Sequence, residues 1–304
     1  MRLHRVAPFL LLSTAACAVS TPQADIMTAG RDEPVQPVRP APPPAPTPLP
    51  APTQPPVPQR AAFTYQGELE QGGWLRGRAP SEIVSATLGD TDLSLDDDGY
   101  FFAAFDRDQE STIRLSATRA DGQVIAETLS IKPRDWNIER VNVARRAGGA
   151  SESFMQRRRP ELEAIWNARQ EETGAEGWRQ DFIWPVTGRI SGRFGSQRIY
   201  RGEPGSYHSG LDIAGGSGTT YVAPADGIVV LSEPDFSLEG QLLIIDHGQG
   251  LNSAFLHSSE LFVRDGQEVK QGQKLGRIGS SGRATGPHLH WSLVWRKTRC
   301  RWTS

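Results

Sequence analysis

The stretch "IIDHGQGLNSAF", residues 244–255, sets two apolar runs on either side of the turn His247-Gly-Gln-Gly250. Glycine-rich turn chemistry between such runs is a hairpin signal. Outward from it, Thr220 to Val222, Ile228 to Leu231, Leu242 to Ile245, Ser253 to Leu256, Lys274 to Ile278 and Leu289 to Val294 read as strands separated by Gly-rich or Pro-rich turns. The C-terminal part is therefore expected to be an antiparallel β domain.

Two histidine-bearing segments fall on this framework, His208-Ser-Gly-Leu-Asp212 and His288-Leu-His290. On a strand, the period of two sends both imidazoles of His288 and His290 to one face and Leu289 to the buried opposite face. His208 and Asp212 are four apart, which suits a helix face, but Gly210, Gly215, Gly216 and Gly218 argue for loop and strand. Five of the six histidines lie between 208 and 290, so they are concentrated where a site would be built. One carboxylate and two imidazoles are ligands of the kind that hold a catalytic zinc, and three protein ligands leave a fourth tetrahedral position for water.

The segments "YHSGLDIAGGSGTTYVAPADGIVV", "IIDHGQGLNSAFLHSS" and "VKQGQKLGRIGSSGRATGPHLHW" together resemble, in content and order, the lysostaphin-type (LytM-like) zinc endopeptidases of peptidoglycan, from about Phe182 to Trp291. The resemblance implies a duplicated-hybrid-motif-like β fold with His208, Asp212 and His290 as ligands of Zn2+ and His257 and His288 as catalytic histidines. His247 matches a hairpin-turn histidine with no catalytic role implied. Arg198 and Tyr207 become candidate substrate contacts, a surface charge being the alternative for Arg198. Non-catalytic relatives that activate a cell-wall amidase resemble this pattern but lack ligands; here the set is full. After Trp291 the sequence departs from the family's pattern and runs into the basic "WRKTRCRWTS", which puts the support of the last strand in doubt.

The remaining chain reads as an exported protein. Residues 1–17 carry Arg2 and Arg5, an apolar Val6 to Leu12 run and "STAAC", which predicts a signal peptide too short to span a bilayer. The small residues before Cys17 resemble a lipoprotein box, with lipidated Cys17 as a membrane anchor; cleavage near Ala16 or Ala18 is the alternative. The implied location is the periplasm or cell envelope and the implied partner is peptidoglycan. With 33 basic and 35 acidic side chains in 304 residues, nothing points to nucleic acid. Cys17 and Cys300 are the only cysteines, so no disulfide framework is expected.

Residues 18–60 form a proline-rich linker, with 13 prolines in the 25 residues from Pro34 to Pro58. An extended polyproline II chain of that length reaches on the order of 75 Å. Residues 61–145 predict a small β-sandwich, with strands at Ile83 to Leu88, Tyr100 to Phe105, Ile113 to Thr118 and Val124 to Ile131. Asp96-Asp97-Asp98-Gly99 reads as a tight turn, since the other ligands of a calcium loop are missing. Residues 146–181 are a helical linker whose helix, Glu161 to Glu172, has Pro160 in a first-turn position and Leu162, Ile165, Trp166 and Arg169 near helical spacing. The Arg157-Arg158-Arg159 run before it reads as solvated charge. Residues 182–304 complete the peptidase domain.

Overall fold

The computed structural model describes residues 60–145 and 150–301. The signal-like stretch, Cys17 and the proline-rich segment lie outside these residues. The chain begins with β1 (Thr64–Gly67), β2 (Trp74–Arg78), β3 (Ile83–Leu88), β4 (Thr91–Asp92), β5 (Tyr100–Ala104), β6 (Thr112–Arg119), β7 (Val124–Ser130) and β8 (Ile138–Val141). Then come α1 (Glu152–Ala168) and a short 3-10 turn at Gly177–Arg179. The strands that follow are β9 (Arg189–Gly192), β10 (Gln197–Tyr200), β11 (Glu203–Pro204), β12 (Leu211–Ala214), β13 (Thr220–Val222), β14 (Gly227–Phe236), β15 (Gly240–Asp246), β16 (Leu251–Leu261), β17 (Glu268–Val269), β18 (Lys274–Ile278), β19 (His288–Trp295) and β20 (Thr298–Cys300). The protein is mainly β, as its sequence predicts.

The first strands form two antiparallel sheets, β1-β2-β5 and β4-β3-β6-β7. Leu75, Phe101, Leu115 and Leu129 are buried between them in a core that continues into the C-terminal strands. At the turn before β5, the Asp96 carboxylate accepts the backbone N–H groups of Asp98 (2.9 Å) and Tyr100 (2.8 Å), so the acidic run closes a turn. β8 leaves this region and pairs in parallel with β10, Glu139 opposite Arg198.

The largest sheet runs β17-β14-β15-β16-β19-β12-β9, with β18 joined to β16 and β13, and β20 to β19. β15, "GQLLIID", is buried on both faces because its alternation feeds two cores. Leu243 and Ile245 enter the main core, while Leu242 and Ile244 pack with Val230, Phe236 and Ala254 beneath Ile165 and Ala168 of α1. The last strands are well supported. β19 pairs with β16 on one side and with β12 and then β20 on the other. Cys300 is buried there, and burial pushes its thiol up to about 12.

Sequence reasoning misplaced α1. The helix starts nine residues before Glu161, where Ser151 caps it by accepting the Phe154 N–H at 3.2 Å, and Pro160 lies inside it. An interior proline costs about 3 kcal/mol, but each large apolar side chain buried against the sheet contributes roughly 1.5–3 kcal/mol. The buried stripe is Arg158, Glu161, Ile165 and Ala168, whereas Leu162 and Trp166 are exposed. Arg158 is therefore not solvated, unlike Arg157 and Arg159 on either side of it.

The hairpin turn from His247 to Gly250 is fixed by His247, which is fully buried. Its Nδ1–H donates to the Asp226 carbonyl at 2.7 Å, leaving Nε2 to accept the Ser253 hydroxyl at 2.7 Å. Ser253 Oγ in turn accepts the Trp291 indole N–H at 3.3 Å. This arrangement holds the neutral ring, and burial pushes the imidazole down from 6.5 to about 4. As pH falls from about 6.5 to 4, the unfolded chain takes up a proton that the folded ring refuses, so stability falls, by about 3 kcal/mol in total for this group. Urea unfolding of wild type and His247→Gln at pH 7 and 4.5 checks this; the variant should show the shallower loss, and equal losses would refute it.

Candidate metal centre

The antiparallel register of β12 and β19 sets Asp212 directly opposite His290 and Ala214 opposite His288. The period of two then carries His288 and His290 to one face, while Leu289 is fully buried on the other. His208 reaches the same point from the loop before β12. His208 Nε2, Asp212 Oδ1 and His290 Nδ1 converge, at 3.0 Å between His208 and Asp212, 3.1 Å between His208 and His290 and 2.8 Å between His290 and Asp212. Donor atoms about 2.0–2.1 Å from a tetrahedral zinc lie about 3.3 Å apart, so one nitrogen-rich set with a single carboxylate fits such an ion after a small expansion. Among the described residues, this trio is the group able to hold a metal.

Backbone carbonyls fix the tautomers. A carbonyl only accepts, so His208 Nδ1 must donate to Arg193 O (3.1 Å), which leaves Nε2 with its lone pair toward Asp212 and His290. By the same logic His288 Nδ1 donates to Gly286 O (2.8 Å) and His257 Nδ1 to Ser281 O (2.9 Å). Both rings, when neutral, carry their lone pair on Nε2, which in His288 lies 3.7 Å from Asp212 Oδ1. Their centroids are 4.9 Å apart, and His257 lies 6.3 Å from the His290 ring.

His257 stands where β16 changes partners, from β19 at Leu256 to β18 at Ser258, and the ladder with β15 shifts register across it. Its φ is +67°, a left-handed conformation uncommon for a residue with a Cβ. A bulge of this kind re-aims a side chain, here toward His288.

The groups differ in charge preference. Burial opposes the Asp212 carboxylate, but hydrogen bonds from His208, in its doubly protonated form, and from His290 hold it well below the usual range. Burial also opposes a charged His208, yet the Asp212 contact prevails and raises it. Burial lowers His290 and His257. A cleft of about 1070 Å³ borders His208 and Asp212, and Arg198 and Tyr207 line it with Glu139, Arg283 and others. Arg198 Nε donates to Glu139 at 2.6 Å. The Tyr207 ring is held between Phe194 and the Arg107 guanidinium.

Residues 206–301 match the family model described as Peptidase family M23. This part of the chain is an M23 peptidase domain. It is 38% identical over 112 residues to the peptidoglycan DD-endopeptidase ShyA of Vibrio cholerae, covering 36% of this chain and 25% of that protein. It is 36% identical over 119 residues to the murein hydrolase activator NlpD of Escherichia coli, covering 39% of this chain and 28% of that protein. The chain thus spans about a quarter of the length of these curated relatives. A crystal structure of a putative peptidase M23 from Pseudomonas aeruginosa shares 25% identity at a TM-score of 0.58, over 77% of this chain and 93% of that one. That likeness extends well beyond the M23 domain.

Two glycines make room for the candidate ligands: Gly192, which the sequence pattern does not mark, and Gly210, which it marks only as a sign of loop and strand. A Cβ on Gly192 would lie 2.3 Å from Asp212 Oδ2, and one on Gly210 would lie 2.7 Å from His290 Nε2 and 2.6 Å from the Trp291 carbonyl. The available signal was glycine inside "HSGLD" and "ISGRF". Gly210→Ala should therefore displace His290 and weaken zinc binding on the order of tenfold while the fold survives. Calorimetric zinc titration alongside circular dichroism checks this, and an unchanged affinity would refute it.

Proposed function

We propose that the protein is an exported zinc metalloendopeptidase that hydrolyses peptide crosslinks in peptidoglycan. The observation that carries the reading is the convergence of His208, Asp212 and His290 beside the rings of His257 and His288, whose centroids lie 4.9 Å apart. His208, Asp212 and His290 would hold the ion, which when bound supplies Lewis acidity to polarise a scissile carbonyl and acidify water. The chain's own residues do the rest. His257 or His288, neutral with Nδ1 tied to a carbonyl, accepts a proton at Nε2. The other ring, when protonated, stabilises the developing oxyanion. Arg198 and Tyr207 offer a guanidinium and a phenol to an extended peptide in the cleft, and Arg198 would exchange Glu139 for a substrate carboxylate. Lipidated Cys17 and the proline-rich spacer would tether the enzyme within reach of the wall.

A second reading has a specific observation behind it: the likeness to NlpD, whose name is that of a murein hydrolase activator. In that case the same groove would bind a cell-wall amidase and the metal site would be idle. Mass spectrometry of muropeptides released from Gram-negative sacculi separates the two. The endopeptidase should release crosslink-cleaved fragments unaided, chelator should stop it, and His257→Ala should reduce the rate at least about a hundredfold. Release only when an amidase is added would favour the activator.

Proton competition sets the acid limit. Binding a metal requires a neutral His208, whose pKa is raised, whereas His290 stays neutral to lower pH. Zinc affinity should fall as pH drops through the neutral range toward 6, and activity with it. A zinc titration flat from pH 8 to 5.5 would contradict this.

A further inference from the structure

Helix α1 precedes residues 206–301 in the chain, yet it is tied to the backbone that carries His257. Arg158 forks onto Glu239, with Nη1 to Oε2 at 2.6 Å and Nη2 to Oε1 at 2.7 Å, and its Nη1 also meets Glu161 at 2.8 Å. The Arg158 and Glu161 side chains are 8% and 7% exposed and that of Glu239 is 15% exposed, so water screens this cluster poorly and its geometry is held tightly. Glu161 also accepts the backbone N–H of Ser237 at 2.8 Å and its hydroxyl at 2.5 Å. One buried arginine and one buried glutamate thereby pin residues 237–239, the whole turn between β14 and β15.

That turn is the seat of His257. The Glu239 carbonyl accepts the His257 N–H at 2.9 Å, and the Leu238 carbonyl accepts the Arg283 N–H at 2.9 Å. Ser281, two residues before Arg283, accepts the Gln241 N–H through Oγ at 2.9 Å and donates to the Ser258 carbonyl at 2.7 Å. The Ser281 carbonyl in turn accepts His257 Nδ1–H. Backbone and ring of His257 are thus both gripped by segments that the turn fixes. A left-handed φ on a residue with a Cβ persists only where its surroundings hold it.

We infer that Arg158, acting through Glu239, is a positioning residue for His257: a helix outside the M23 match holds one of the two proposed catalytic histidines in its working orientation. The inference rests on the reading of His257 as a catalytic histidine, but one arm of its test does not. Arg158→Ala and Glu239→Ala are compared with wild type in the full-length protein, and Arg158→Lys serves as the conservative variant.

Amide hydrogen exchange at His257 should accelerate on the order of tenfold in both alanine variants, while Leu243 and Phe255 in the adjoining strands keep their protection. Crosslink hydrolysis should lose on the order of ten- to a hundredfold in kcat with KM and zinc content unchanged, and Arg158→Lys should recover part of both. Unchanged His257 exchange, or protection lost equally along β15 and β16, would overturn the inference. Should Arg158→Ala fail to fold, Glu239→Ala, which leaves Arg158 paired with Glu161, carries the comparison. If wild type cleaves nothing, the endopeptidase reading fails separately, and the exchange measurement still decides whether Arg158 positions His257.

Discussion

The hydrogen-bonded pairing of β12 with β19 is the constraint on which the site depends. It sets Asp212 across from His290, and a slip of one residue would send the carboxylate or both imidazoles to the opposite face. Everything nearby serves that register. Gly192 and Gly210 let the neighbouring backbone close in, the Arg193 carbonyl orients His208, and β16 supports β19 from the other side before turning away at His257. The candidate centre is therefore built mainly from strands, whose positions are set by ladders on both sides, with one candidate ligand on a loop.

Alternation and turn chemistry made much of this legible. The strands around "IIDHGQGLNSAF" follow from apolar runs broken by glycine, and the shared face of His288 and His290 follows from the period of two. What stayed hidden depends on contacts between distant residues. Nothing local in "HSGLD" says that Asp212 lies on a strand paired with His290. The short β9 and β10 have too few apolar residues to announce themselves, β12 is only four residues long, and their strand character comes from partners. The helix was misread because Pro160 looked like a beginning, whereas Ser151 supplies the cap and a buried arginine, which a hydrophobic pattern cannot reveal, fixes the inward face.

Segments from outside the M23 match reach its site or its core. β8 extends the sheet edge formed by β10, so Glu139 lines the cleft together with Arg198. Arg301, just after β20, pairs with Glu68 at 3.0 Å and also with Glu70, and Arg76 of β2 pairs with Asp181 at 2.6 Å. These ties and the shared apolar core join the early β sheets to the peptidase strands, with likeness to the Pseudomonas aeruginosa structure over most of both chains.

The covering of β14, β15 and β16 by α1 bears on modularity. Residues 206–301, cut out along the family boundary, would lose Ile165 and Ala168 and bare Val230, Leu242, Ile244 and Ala254 to water, an oily patch that invites self-association. They would also leave behind β9, which pairs with β12. Recombination that shuffled this domain into another protein would therefore have to carry the helix with it, or recruit a substitute lid for that face.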